Sequence, residues 1–331
     1  MNLAVENVGI GRGLCAIRAI GALDNFLVWS LTANKGQLDR VVTGSTYDAV
    51  SVSQVGVVAL PLPPPEEQRA IAAFLGRETG KIDALMEEQR RLIELLKEKR
   101  QAVISHAVTK GLKASAPMED SVIHPGDPLP EGWTTGRLST VCKFRSGKAH
   151  EQVIDEDGPF VCVTARFVST QGVARKYCTQ NFSAARKGDI LMVMSDLPNG
   201  RALARAFFVI DDTPYAVNQR VCVISAIEGN PRFFFYQLNR NEQLLRHDDG
   251  VNQTHLPNEA FTKLQLHLPP LSEQDAIVAF LDAETSKIDT LVDEAETGIT
   301  LLQERRAALI SAAVTGKIDV REFANHEAVA A

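Results

Sequence analysis

The sequence predicts an α+β fold in which β-rich globular units alternate with long helices that pair as an antiparallel coiled coil. Two observations carry this expectation. Residues 62–110 and 268–316 align without a gap at an offset of 206, and both copies read as long amphipathic helices. Between them, residues 129–267 hold short β-type runs separated by turn residues. The chain has 331 residues, 45% hydrophobic and 23% charged, which excludes collagen-like and disordered classes and suits two or three domains.

Residues 1–61 read as a partial globular unit. Leu14-Cys15-Ala16-Ile17 matches Val221-Cys222-Val223-Ile224, and Gly36-Gln37-Leu38 with Arg40 and Gly44 matches Glu242-Gln243-Leu244 with Arg246 and Gly250. Only the distal part of the later unit has a counterpart here, so roughly 80 residues are expected to be missing from its front. Residues 62–112 form the first helical region. Pro63-Pro64-Pro65 suit a helix start, and Gly76 and Gly80 divide the region into a short helix over 66–77 and a long one over about 79–110. Ile82, Leu85, Leu92, Leu96 and Val103 fall on heptad a and d positions, with Met86, Ile93 and Ala107 widening the stripe, and the equivalents are Ile288, Leu291, Leu302 and Leu309, with Val292 and Ile299 beside them. Such stripes need a partner. The two helices pack on each other or join a compact bundle. A helix of about 32 residues spans about 48 Å, on the order of a dozen base pairs of B-DNA.

A linker follows over 113–128, then a complete globular unit over 129–267. Its expected strands are Phe160–Thr164, Ile190–Val193, Ala206–Ile210 and Val221–Ile224, and Pro231–Leu245 reads as one helix opening with proline. The second helical region spans 268–318 and a tail spans 319–331.

The loops of the 129–267 unit carry side chains with base-reading donor and acceptor sets: Ser195, Asn199 and Arg201 in one, Asn218, Gln219 and Arg220 in a second, Gln253, Thr254 and His255 in a third. Arg175-Lys176, Arg186-Lys187 and Arg205 have the reach for phosphates. Each of these residues alternatively serves as a solvated loop residue or a turn-stabilising one.

The net charge of −6 argues against a sequence-independent polyanion binder, but charge is uneven. Residues 129–267 hold 16 Lys/Arg against 14 Asp/Glu, whereas residues 268–331 hold 5 against 12. Five widely spaced cysteines with no CxxC pair point to buried free thiols. No P-loop, HExxH or GxSxG motif occurs, and Gly9-Ile10-Gly11-Arg12-Gly13 reads as a turn. No catalytic constellation, cofactor site or metal site is expected. Nor is a membrane span or signal peptide, so a cytoplasmic location is expected.

The repeated LPPxxEQxxIxxFL…KIDxL…LxExRxAxISxAVT block resembles the helical regions of type I restriction–modification DNA specificity subunits. The unit from Leu129, with LPEGW, GDILM, SDLPNGRA and GVNQTHLP, resembles one of that family's target-recognition domains. The resemblance implies a subunit without its own active site. Each recognition domain would read half of a bipartite site in double-stranded DNA. The helices would space the readers and dock methyltransferase subunits, and a motor and nuclease subunit would complete the assembly. That assembly would be an adenine-N6 methyltransferase and ATP-dependent endonuclease. Residues 1–61 hold only the distal part of a first recognition domain. A shortened chain could therefore pair with a second copy, or act as an assembly or decoy protein with little DNA reading.

Overall fold

The computed structural model describes residues 3–40, 51–113, 117–119, 128–196, 201–246 and 254–320. In chain order its helices are α1 (Asp24–Ala33), α2 (Lys35–Arg40), α3 (Val52–Gly56), α4 (Pro65–Lys110), α5 (Leu138–Val141), α6 (Ala165–Ser169), α7 (Pro231–Leu238), α8 (Glu242–Leu245), α9 (Asn258–Lys263) and α10 (Leu271–Val314). The strands are β1 (Met118–Glu119), β2 (Leu129–Pro130), β3 (Thr134–Arg137), β4 (Cys142–Ser146), β5 (Phe160–Val163), β6 (Tyr177–Cys178), β7 (Ala184–Ala185), β8 (Ile190–Val193), β9 (Ser195–Asp196), β10 (Ala206–Phe208), β11 (Tyr215–Val217), β12 (Val221–Ala226), β13 (Thr254–His255) and β14 (Gln265–Leu268). The chain forms two compact units, one from residues 1–96 with 289–331 and one from residues 97–288.

The first unit is helical. Phe26 of α1 is buried with Ile71, Phe74 and Leu75 of α4 and with Ile310, Ala313 and Val314 of α10. Asp83 takes a bidentate pair of bonds from the Arg306 guanidinium, at 2.8 and 3.2 Å. Low residue numbers on α4 therefore meet high numbers on α10, so the helices run antiparallel here, as expected. Ile82 and Leu96 of the expected stripe are in the seam, but Met86 and Ile93 take the places expected for Leu85 and Leu92. Ile82, Met86, Ile93 and Leu96 are buried, whereas Leu85 and Leu92 are 47% and 43% exposed. On α10, Ala295 is buried and Leu302 and Leu309 are half-buried, while Leu291 is 48% exposed. Adjacent apolar residues lie about 100° apart on a helix, and here both candidate stripes were apolar. The expected interruption at Gly76–Gly80 does not occur either. Thr79 is buried and its hydroxyl bonds the Leu75 carbonyl, and Leu75, just ahead of Gly76, is fully buried as well. Such packing outweighs the cost of about 1 kcal/mol for a helical glycine.

The second unit is built on β8 and β12. The order β10-β8-β12-β4 makes an antiparallel sheet. In the second sheet, β6-β5-β11-β7, the β5–β11 pair is parallel. Alternate residues of β8 and β12 face two different cores. Ile190, Met192, Cys222 and Ile224 pack with α7 and with Ile104, Ala107, Ile277 and Leu281 of the long helices. Leu191, Val193, Val221 and Val223 pack with Val161, Phe167, Tyr215 and Val217. Burial on both faces explains why these strands read as unbroken apolar runs. Ile288 and the half-buried Val103 also lie in this unit. The helix expected over Pro231–Leu245 is two helices. Asn241 caps α8 by accepting from the Gln243 and Leu244 amides, and Arg240 before it is left-handed at φ 60°.

The duplication extends to individual hydrogen bonds. In the first unit, Gln68 accepts from the Leu23 amide at 2.8 Å and donates to the Pro63 carbonyl at 2.8 Å. In the second, Gln274 accepts from the Asn230 amide at 2.8 Å and donates to the Pro269 carbonyl at 2.9 Å. Likewise, Asn34 donates to the Ser30 carbonyl and Asn241 to the Gln237 carbonyl. Thus α1 corresponds to α7, α4 to α10, and Phe26 to Phe233, both fully buried. Leu14–Ile17, however, is exposed and forms no strand. Its counterpart β12 is held between β8 and β4, and nothing ahead of Leu14 in this chain matches either partner. Cys142, Cys162, Cys178 and Cys222 are buried free thiols. Burial pushes Cys142 and Cys162 up to about 12, and Cys15 is exposed. Among the described residues, no helix is long and apolar enough to cross a membrane.

Two outcomes follow. Gln274→Leu leaves the Asn230 N–H and Pro269 C=O without their partner and is expected to cost about 1–3 kcal/mol, read as faster hydrogen exchange at the Asn230 amide. Gly80→Ala puts a methyl into open space on a helix and is expected to raise stability by about 0.5–1 kcal/mol in thermal melts.

Candidate functional site

Parallel pairing of β5 with β11 sets Val163 opposite Val217, so the two strands end side by side. The amide of Asn218 donates to the Val163 carbonyl at 3.1 Å. The turn Asn218-Gln219-Arg220 therefore stands beside the start of α6, where the Thr164 hydroxyl caps the Phe167 amide. The Arg220 carbonyl also accepts from the Met194 and Ser195 amides, at 2.9 and 3.4 Å. β9 in turn pairs with β13, with Ser195 opposite His255 and Asp196 opposite Thr254. Three stretches distant in sequence meet at one end of this unit. They bring together Ser195, Asn218, Gln219, Arg220, Thr254 and His255. Asn199 and Gln253 lie outside the described residues.

The 218–220 turn is rigid for two reasons. Gly147 donates to the Val221 carbonyl and lies so close that an added Cβ would sit 2.2 Å from the Asn218 oxygen. Glu151 accepts from the side-chain amides of both Asn218 and Gln219, each at 3.2 Å. Its own backbone amide, and then the Asn218 amide, hold the Glu151 carboxyl below its ordinary range.

This geometry corrects one expectation. Asn218 is 7% exposed, its NH2 group donates to Glu151 and its oxygen accepts the Arg220 amide. It fixes the turn and is not available as a reader. Gln219, Arg220 and His255 are exposed, and Ser195 is half-buried. Arg201 is exposed beside Ala202, whose amide donates to the Asp196 carboxylate at 2.7 Å. Arg175 and Lys176 do not join the group. The Arg175 guanidinium donates to the Gly172 carbonyl and lies near Asp211, whose carboxyl is held low first by the Thr213 amide and only last by the Arg175 charge, near Tyr215 at the opposite end of β11. The Lys176 carbonyl accepts from Cys162.

Two residues of the site were missed. Arg166 is exposed in the first turn of α6, signalled by Thr164 as a cap after an apolar run. Glu151 had no local signal, because its partners lie 67 and 68 residues away.

Comparison with known proteins gives consistent matches. The family model "Type I restriction modification DNA specificity domain" matches residues 130–296, about half of the chain. The type I restriction enzyme MjaVIII specificity subunit of Methanocaldococcus jannaschii is 23% identical over 314 residues, covering 91% of this chain and 71% of that protein. The EcoBI specificity subunit of Escherichia coli is 33% identical over 108 residues, 32% of this chain and 23% of that protein. A chain from a solved structure concerned with complex assembly and conformational transition of the type I R-M system superimposes with a TM-score of 0.62. It is 22% identical and covers 90% of this chain and 73% of that one.

The lowered Glu151 carboxyl gives a pH test. The unfolded chain restores its ordinary value, so its bonds support the turn above that value and are lost as pH falls through the lowered one. The side-chain amide signals of Asn218 and Gln219 are expected to shift together, with a midpoint below the usual glutamate range. In Glu151→Gln this shift should be absent. A midpoint at or above the ordinary value contradicts the brace.

Proposed function

Because the chain belongs to the type I restriction–modification DNA specificity family, we propose that it directs such a system to its DNA sequence and performs no chemistry itself. The observation that carries this reading is the meeting of Ser195, Gln219, Arg220 and His255 at one rigid end of the 97–288 unit. Arg220 is exposed, and a guanidinium can make two bonds to the guanine edge in the major groove. Gln219 presents an amide oxygen on the same turn. Methyl transfer, translocation and cleavage fall to methyltransferase and motor/nuclease subunits that this chain binds.

The helices supply the surface for those subunits in this proposal. Leu85, Leu92, Leu95, Leu291 and Leu301 are between 43% and 59% exposed. Leu92, Leu291 and Leu301 line one open groove between α4 and α10 of about 520 Å³. A methyltransferase subunit is the occupant that family membership supplies.

Selection from a randomised duplex pool, followed by measurement on the enriched sequence, tests the recognition role. Arg220→Ala is expected to cost about 1–3 kcal/mol of binding and to relax preference at one position. Equal retention of enriched and scrambled duplexes by the unaltered chain would sink the reading. For the helices, Leu92→Glu with Leu301→Glu is expected to abolish co-purification of a methyltransferase subunit while circular dichroism stays unchanged.

A further inference from the structure

We propose that the pocket lined by Arg166, Arg201 and Arg205 holds a backbone phosphate of duplex DNA. This rests on the DNA-recognition reading above and adds a positioning site to it. The pocket is about 280 Å³ and is completed by Ala165, Ser169, Asp196 and Ala202. Three arginines and a single acidic residue thus line it, and the Asp196 carboxylate accepts from the Ala202 amide.

Arg205, and Arg240 behind it, are held by neutral groups. Arg205 donates to the Arg201 carbonyl at 3.2 Å and to the Ser169 carbonyl at 3.4 Å. Behind them, half-buried Arg240 donates to the same Arg201 carbonyl at 3.3 Å. Carbonyl oxygens fix these side chains without cancelling their charge, so an excess of positive charge is built into a concave site. Burial, and after it the nearby Arg205 charge, lower the pKa of Arg240. An incoming phosphate oxyanion would relieve that repulsion, and guanidinium forks suit it.

The backbone is also committed here. Among the described residues the left-handed non-glycine positions are Gln171, Ala204 and Arg240. Gln171 lies two residues beyond Ser169 and bonds the Ala206 carbonyl, Ala204 precedes Arg205, and the Arg240 amide bonds the Ala204 carbonyl at 2.7 Å. Strained conformations persist where their surroundings over-determine them, commonly at ligand sites. Asp196 follows Ser195 directly in β9, which makes the pocket continuous with the reading end. A phosphate here would fix register while the neighbouring loops read bases.

The test uses the full chain with Arg166→Gln and, separately, Arg201→Gln, because Arg205 also holds backbone. Binding to the enriched and scrambled duplexes is measured across a salt series. The expected result is a loss of about tenfold on both duplexes, an unchanged ratio between them, and a salt slope shallower by about 0.9 per substitution. A changed ratio with an unchanged slope makes these residues base readers and overturns the assignment. Unchanged affinity and slope, with the unaltered chain still discriminating the duplexes, overturns the pocket alone. Loss of discrimination by the unaltered chain overturns the recognition reading and the pocket with it. Displacement of duplex by inorganic phosphate well beyond a chloride control of equal ionic strength makes this a free-phosphate site. Equal displacement by poly-glutamate makes it a protein contact. Either result overturns the proposal.

Discussion

In the first turn of each long helix stands a buried glutamine whose side-chain amide both accepts and donates a hydrogen bond inside the protein. Gln68 and Gln274 are 1% and 5% exposed, and each joins the proline-rich entry of its own helix to the start of a shorter helix that precedes it by about 45 residues. The task needs a donor and an acceptor at one side-chain tip, with reach across a packed interface, and an amide supplies them on two separate atoms without charge. This bond pair decides how α1 meets α4 and how α7 meets α10. It therefore decides where Phe26 and Phe233 enter their cores. The rest of each unit is arranged around that junction.

In the second unit the junction supports a platform. β8 and β12 are covered on both faces, which fixes where the 218–220 turn leaves the sheet. Gly147 and Glu151 then hold the 218–220 turn from two sides. A recognition surface made this way is ordered before its ligand arrives, which lowers the ordering cost of binding.

Much of this arrangement was legible in the residues. The gapless repeat announced two equivalent helices, and the apolar runs at Phe160–Val163, Ile190–Val193 and Val221–Ile224 announced the buried strands. The helix seam was not legible to the residue, because Leu85 and Met86, like Leu92 and Ile93, are equally apolar neighbours, and only tertiary contacts choose between them. Gly76 and Gly80 looked like breaks because propensity is local, whereas the packing of Leu75 and Thr79 that overrides it is not. The break between α7 and α8 did have a signal, since Asn241 before Glu242 is a good cap. At the candidate site, residue types pointed to the loops that the fold brings together. They did not separate Asn218, which braces the turn, from Gln219 and Arg220, which are presented, because the difference lies in a carboxylate distant in sequence.

The contrast between Leu14–Ile17 and Val221–Ile224 says something about how duplicated proteins inherit shape. A helix carries its hydrogen-bond partners within its own length, so a copied helix arrives complete. A strand borrows its partners from other segments, so a copied strand arrives as an unmet half of a bargain. In this chain the helices of the earlier copy kept the form of the later one down to single amide bonds, while Leu14–Ile17, the counterpart of β12, is exposed and forms no strand. Secondary structure is thus unequally portable, and a repeat seen in sequence is a safer guide to helices than to sheets.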